Sequence, residues 1–194
     1  EVGARSVPSP VGPDARPGAF MSPSLVVRAG VLEDAEGIAR VRMLSWQSAY
    51  KGIMPQDFLD AMDLSDQAER TERFWPRGED PAHLVATLES EVVGWTCIKL
   101  ASEEQGEEPS EAEILACYTL PRCWGQGVGF RMVETALDML GERGMSEVVL
   151  WVLESNPRAR FFYERQGFHP DGHVKQETFI PGVTLSSMRM RRAL

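Results

Sequence analysis

One stretch limits the possible folds more than any other. A β-rich run over 111–120 leads into Pro121-Arg-Cys-Trp-Gly125-Gln-Gly127-Val-Gly129, and an amphipathic helical pattern follows over 127–140. Strand, glycine loop and helix in that order put three alternate glycines at a helix mouth. Glycine tolerates positive φ and close backbone approach, and the unpaired N–H groups of a first helical turn, with the helix dipole, favour an anion such as a pyrophosphate. A tight strand-to-helix turn would need the same glycines, so the surrounding chain has to decide.

Two nucleotide motifs can be tested on spacing. A Walker loop ends in Gly-Lys-Ser/Thr, whereas Gly129 is followed by Phe130 and Arg131, so the lysine and the magnesium-binding hydroxyl are missing. A dinucleotide fingerprint wants glycine where Phe130 stands and sits in the first of several parallel units; Glu154 lies at a tolerable distance for its ribose acid, so this reading stays open.

Composition narrows the class. A chain of 194 residues, 43% hydrophobic, suits one well-buried domain rather than two. The longest apolar run, 92–100, is interrupted by Gly94 and Lys99 and falls short of the roughly 20 residues that a membrane span needs, so no membrane partner is expected. Three cysteines (Cys97, Cys117, Cys123) without paired spacing or accompanying histidines suggest neither a disulfide framework nor a metal site, and fit a reducing cytoplasm. A formal charge of −9 disfavours nucleic acid as a partner.

Residues 1–24 hold five prolines and almost no large apolar side chain before Phe20, too little to offset the entropy cost of ordering. They read as a disordered tail or a start-site extension ahead of Met21, with one domain over 25–194. Within it, 25–29 reads as a strand and 33–50 as a helix. A second helical region, 55–74, is broken near 63–66, with Pro55 able to start a helix and Asp66 to cap one. His83–Leu88 and 91–100 read as an antiparallel hairpin across Glu89-Ser90. A polar acidic loop, 101–110, precedes the strand 111–120. After the glycine loop and its helix come a strand over 147–153, a helix over 156–166, and two closing strands near 168–177 and 183–190.

The segment Asn156-Pro-Arg-Ala159-Arg-Phe-Phe162-Tyr163-Glu-Arg-Gln-Gly167-Phe168 lifts the glycine loop above a simple turn. Together with 121–129 it resembles the GNAT acetyltransferases, whose loop reads Arg/Gln-x-x-Gly-x-Gly/Ala and whose second motif runs Asn, Ala, Phe-Tyr, Gly-Phe. The likeness extends over 25–194, because the helix pair, the hairpin and the final strands also follow the family's order. Trp124 departs from the pattern where Arg or Gln is usual; Arg122 or Arg131 is the expected replacement.

The resemblance implies an α/β (α+β) fold, a single domain with a mixed, mostly antiparallel sheet of about six to seven strands flanked by helices. Two parallel strands splay apart and acetyl-CoA enters between them as a pseudo-strand. Implied backbone contacts fall on Tyr118, Thr119 and Leu120; phosphate contacts on Gln126, Gly127, Val128, Gly129 and Phe130, with Arg122; and an arm contact on Asn156. The implied reaction is acetyl transfer to a primary amine by direct attack in a ternary complex, with no metal.

That chemistry needs a base, since an alkylammonium has a pKa near about 10.4, and an acid for the leaving thiolate. Glu113, at the family's glutamate position in the strand before the loop, is the expected base, with Glu111 as alternate. Six acids between Glu103 and Glu113 are also what a solvated acidic face would show. Tyr163 is the expected acid. Cys117 or Cys123 as an acyl carrier ranks low, because no histidine neighbours either thiol. His83, His169 and His173 are scattered and read as surface or hydrogen-bonding residues. Trp46 and Tyr50 share one helix face and are expected to wall the acceptor site, near Gly52, Ile53 and Pro55. The acceptor is a small-molecule or peptide amine of unknown identity, and a homodimer stays open. The alternative is a domain that senses acyl-CoA without turnover.

Overall fold

The computed structural model describes residues 25–76, 78, 81–100 and 111–194; the expected tail 1–24 and the acidic loop 101–110 lie outside them. The elements are β1 (Leu25–Ala29), α1 (Ala35–Ala49), α2 (Gln56–Asp60), α3 (Leu64–Arg73), β2 (Ala82–Leu88), β3 (Glu91–Lys99), β4 (Glu111–Thr119), α4 (Val128–Glu142), β5 (Glu147–Leu153), α5 (Pro157–Glu164), β6 (His169–Ile180) and β7 (Val183–Ala193). Seven strands form one sheet in the order β1-β2-β3-β4-β5-β7-β6. Every neighbouring pair is antiparallel except β4 and β5, which are parallel.

Local chemistry explains most boundaries. Glu89 and Ser90 turn the β2–β3 hairpin at φ 49° and 75°, the left-handed pair that a two-residue turn between right-twisted strands requires. Asp63, not Asp66, caps α3: the chain is extended there, and the Asp63 side chain accepts from the N–H groups of Ser65 and Asp66. Asp66 sits inside the first turn, where its charge still suits the helix dipole. The last two strands run longer than the expected 168–177 and 183–190: β6 continues past an irregularity to pair Ile180 with Val183, and β7 continues to Ala193 because Arg191, Arg192 and Ala193 pair with Val149, Val148 and Glu147 of β5.

Helices cover both faces of the sheet. α4 buries Val128, Met132, Val133, Ala136, Leu137 and Leu140, a stripe at helical spacing. Gly94 in β3 makes room for Met132, since a Cβ there would lie 2.4 Å from its sulfur. On the opposite face α1 comes close to β3 through Gly37, whose missing Cβ would lie 2.8 Å from Val92 Cβ. At the edge where β4, β5, β7 and β6 line up, Arg191 reaches Glu111, Glu147 and Asp171, and Arg189 binds Asp171 at 2.6 Å. Burial alone would raise the Asp171 carboxyl, but hydrogen bonds from His173 and Arg189 outweigh it and bring the pKa down to about 2.

Candidate active site

The parallel pair comes apart partway along. β4 and β5 are in register only from Glu111↔Glu147 to Ile114↔Leu150. Beyond that, Ala116 to Thr119 pair only with β3, and Trp151 to Leu153 only with β7. The cause is a bulge: Ile98 faces Ile114 while Cys97 faces Ala116, so Leu115 is an extra residue in β4. Leu115 is 48% exposed although its strand is central, as the wall of an open gap would be.

Backbone groups line this gap unevenly. The Leu120 N–H donates to Val93 O at 2.8 Å and is therefore committed to β3. The Thr119 carbonyl, turned the other way, accepts from Ser45 Oγ at 2.8 Å and from Trp124 Nε1 at 3.0 Å. Because backbone directions alternate along a strand, the groups left facing β5 are the backbone of Cys117 and the Thr119 N–H, while Tyr118 turns its backbone to Trp95 of β3.

The glycine loop leads from this gap into α4. Gly125 and Gly127 have φ of 75° and 83°, and Gly127 is the N-cap. The bond from Arg131 N to Gly127 O at 3.0 Å starts the helix ladder, so the N–H groups of Val128, Gly129 and Phe130 have no acceptor within α4. No side chain caps the helix and no acid stands in its first turn. Gly129 does a different job from its neighbours: a Cβ there would meet the Phe162 ring of α5 at 3.2 Å, so it couples the two motifs by close packing. Gln126 is folded onto the loop, its Nε2 donating to Arg122 O and its N–H to Cys123 O. Arg122 itself is paired with Glu91, which Arg40 also reaches. Asn156 caps α5 by accepting from Ala159 N at 3.1 Å, leaving its side-chain NH₂ as the free donor face.

At the apex of the gap lie three phenols and a thiol. Tyr163 is 9% exposed, edge-to-face on Phe162 and Phe168 at 5.0 and 5.8 Å between centroids. Burial, then the proximity of Cys117 and Tyr118, holds its phenol well above the usual range. Burial also pushes the Cys117 thiol up to about 11, against a contact from Thr96 Oγ1 that lowers it. Tyr118 is raised by burial, opposed by Tyr50, Trp46 and Arg42. Burial, then Tyr118, raises Tyr50. Thus Tyr50 from the expected acceptor side and Tyr163 from the expected thioester side converge on the Tyr118 phenol, a role for Tyr118 that reading its backbone alone missed.

Trp46 packs on Tyr50 at 4.9 Å and on Phe58 and Phe179 at 6.5 Å each, so α1, α2 and the β6–β7 hairpin meet around one indole. Phe58 and Phe179 carried no local signal, because only the fold brings β6 to α1. Glu113 is half-buried on the α1 face, opposite Lys99 and Val149, with no hydrogen bond or ion pair for its carboxylate among the described residues. It lies before the bulge, roughly 13 Å of strand from Cys117. Glu111 is held by Arg191. His83 accepts from Trp95 Nε1 at 3.0 Å, packs at a tilt between Trp75 and Trp95, and burial lowers its pKa. Among the described residues no His/Cys/Asp/Glu group could hold a metal, and no helix is long and apolar enough to cross a membrane.

A strand pair that splays beside an uncapped helix mouth can hold an extended ligand along its backbone and an anion at the helix end, and comparison with known proteins identifies the class that has this arrangement. Residues 42–168 match the model of the acetyltransferase (GNAT) family, and the chain belongs to that family. It is 27% identical over 165 residues to the uncharacterized N-acetyltransferase YuaI of Bacillus subtilis (strain 168), covering 84% of this chain and 90% of that one. With an uncharacterized N-acetyltransferase of Archaeoglobus fulgidus it shares 34% identity over 141 residues, covering 72% and 90%. The crystal structure of the PaiA N-acetyltransferase from Thermoplasma acidophilum in complex with coenzyme A shares the fold, with a TM-score of 0.68 at 20% identity over 88% of this chain and 99% of that one.

Proposed function

We propose that the protein transfers an acetyl group from acetyl-CoA to a primary amine by direct attack within a ternary complex. The observation that carries this reading is the gap between β4 and β5 ending at the uncapped, acid-free mouth of α4. An amide-rich pantetheine arm suits the free backbone of Cys117 and Thr119, and a pyrophosphate suits the N–H groups of Val128, Gly129 and Phe130. Asn156 offers its side-chain NH₂ to the arm. The PaiA neighbour was solved with coenzyme A, which agrees with this choice of donor.

The acceptor enters from the Trp46–Tyr50 side. Its amine must lose a proton, and Glu113, unpaired on that face, serves as base through intervening water. The amine lone pair attacks the thioester carbonyl, the C–S bond breaks, and the thiolate departs close to Tyr163. A phenol held above about 10 does not give its proton fully to a thiolate whose acid has a pKa near about 8.5. Tyr163 therefore donates a hydrogen bond to the sulfur as charge grows there, and the proton lost by the amine neutralises the thiolate in the end. A thiol held at about 11 is protonated at neutral pH, so Cys117 is a poor acyl carrier, and direct attack is the better route.

The test is an amine panel, small molecules and peptides with free N-termini, incubated with acetyl-CoA and read by mass spectrometry and by free thiol. Acceptor-dependent release of CoA with an N-acetylated product is expected. Tight acetyl-CoA binding without turnover on any amine would instead identify a sensor.

A further inference from the structure

Trp124 stands where the family's loop usually has a cationic or amide side chain, and the structure shows what has taken its place. The indole is pinned by its Nε1–H to the Thr119 carbonyl at 3.0 Å. Its face carries the guanidinium carbon of Arg158, 3.4 Å from the ring centroid, a cation–π contact at van der Waals distance. Arg158 is the second residue of α5, where a cation opposes the helix dipole, and burial lowers its pKa. No carboxylate pairs with it among the described residues. Of the two arginines closer in sequence to the loop, Arg122 is paired with Glu91 at 2.5 Å, while Arg131 projects from the first turn of α4 as an exposed side chain 3.9 Å from Glu134 and has no aromatic surface to hold it among the described residues. An unpaired guanidinium is thus fixed on an aromatic platform one residue before Gly125, in a protein whose net charge is −9.

We infer that Arg158, oriented by Trp124, is the side-chain ligand of the donor's pyrophosphate, supplied from α5 in place of the loop's own side chain. This rests on the acetyl-CoA reading. The planar guanidinium keeps its edge N–H groups free while it lies against the indole, so it can grip phosphate oxygens with little loss of freedom on binding. The unfavourable place at the N-terminus of α5 then has a purpose, because an anion between the α4 mouth and Arg158 meets positive potential from both.

The experiment measures affinity by calorimetry and steady-state KM for acetyl-CoA, acetyl-dephospho-CoA and S-acetyl-pantetheine, on wild type, Arg158→Gln and Arg158→Lys. Arg158→Gln should weaken acetyl-CoA and acetyl-dephospho-CoA alike, by about 10- to 100-fold, the worth of one charge-assisted contact. It should leave S-acetyl-pantetheine, which has no phosphate, unchanged. Arg158→Lys, which keeps the charge but not the planar group, should fall between. Trp124→Leu should cost affinity too, and the double variant should lose no more than the worse single one, since both act through one contact. Equal affinity of wild type and Arg158→Gln for acetyl-CoA, or an equal loss for S-acetyl-pantetheine, overturns the inference. A loss confined to acetyl-CoA and absent with the dephospho form overturns the pyrophosphate assignment. A wild type that binds no donor rejects the acetyl-CoA reading itself, which separates the two failures.

Discussion

Tyr163 is a core side chain and, in the proposed mechanism, the donor to the leaving sulfur, and one substitution separates the roles. Tyr163→Phe keeps the ring contacts with Phe162 and Phe168. With the hydroxyl as donor to the sulfur, single-turnover transfer should fall about 10²-fold, the low end for such catalysis because a CoA thiolate already leaves fairly well. A merely structural hydroxyl would cost about 1 kcal/mol of stability and leave the rate per folded molecule unchanged. Normal transfer in a folded, donor-bound variant would remove Tyr163 from the mechanism. The raised phenols also set an alkaline limit. A folded pKa above the unfolded one means that stability is full below about 10 and declines as pH climbs past it, so the variant should lose stability less steeply there. Tyr163 and Asn156 could be proposed from the sequence because both sit in one contiguous motif. Tyr118 and Arg158 were not visible in these roles, since their partners, Tyr50 and Trp124, are tens of residues away and meet them only through the fold.

At the scale of elements, what positions the site is how closely helices approach the sheet. Gly37→Ala tests this on α1, the helix that carries Ser45 and Trp46 and ends at Tyr50. Alanine is the better helix former by about 1 kcal/mol. Against that, its Cβ would sit 2.8 Å from Val92 Cβ and 2.9 Å from Cγ2. Val92 is β-branched and 7% exposed, so its Cβ moves only with the strand. Overpacking of this sort costs about 1–3 kcal/mol, and the clash wins. Thermal unfolding should show a melting temperature lower by several degrees; an unchanged or higher value would mean that α1 slides freely on β3. Element types were legible along the described chain because each has its own pattern and punctuation: the largely apolar run over 83–88 ending at the short polar turn Glu89-Ser90, the helical stripe from Val128 to Leu140, Asn156-Pro157 opening α5. The bulge at Leu115 was not legible. Nothing within Glu111–Thr119 marks an extra residue, and it exists only relative to the partner β3, yet it is what opens the site.

Taken whole, the sheet is two half-sheets, β1 to β4 and β5-β7-β6, joined by the short register between Glu111–Ile114 and Glu147–Leu150. The α4–α5 contact at Gly129 and Phe162 and the bridge from Arg191 to Glu111 also tie them. A donor lying between Cys117–Thr119 and Trp151–Leu153 would be one more strand between the halves, and its effect should be read across the molecule. A ligand that binds only the folded state stabilises it by about 2.7 kcal/mol at 100 times its dissociation constant. Local contacts alone would slow amide exchange only around Gly127–Phe130. A pseudo-strand predicts more: acetyl-CoA should slow exchange at Cys117, Thr119 and the first turn of α4 directly, and also along β5 and β7, because opening the second half-sheet would first require releasing the arm. Amides at Val148 and Val149, already in the paired region, should change least. Hydrogen exchange with and without acetyl-CoA, on wild type and on Gly127→Glu, checks this. The glutamate puts negative charge and a side chain at a φ of 83° against the phosphate mouth, and it should abolish both the added stability and the spread of protection. Protection that stops at the α4 mouth in wild type would mean that phosphates dock there while the arm does not bridge the two halves.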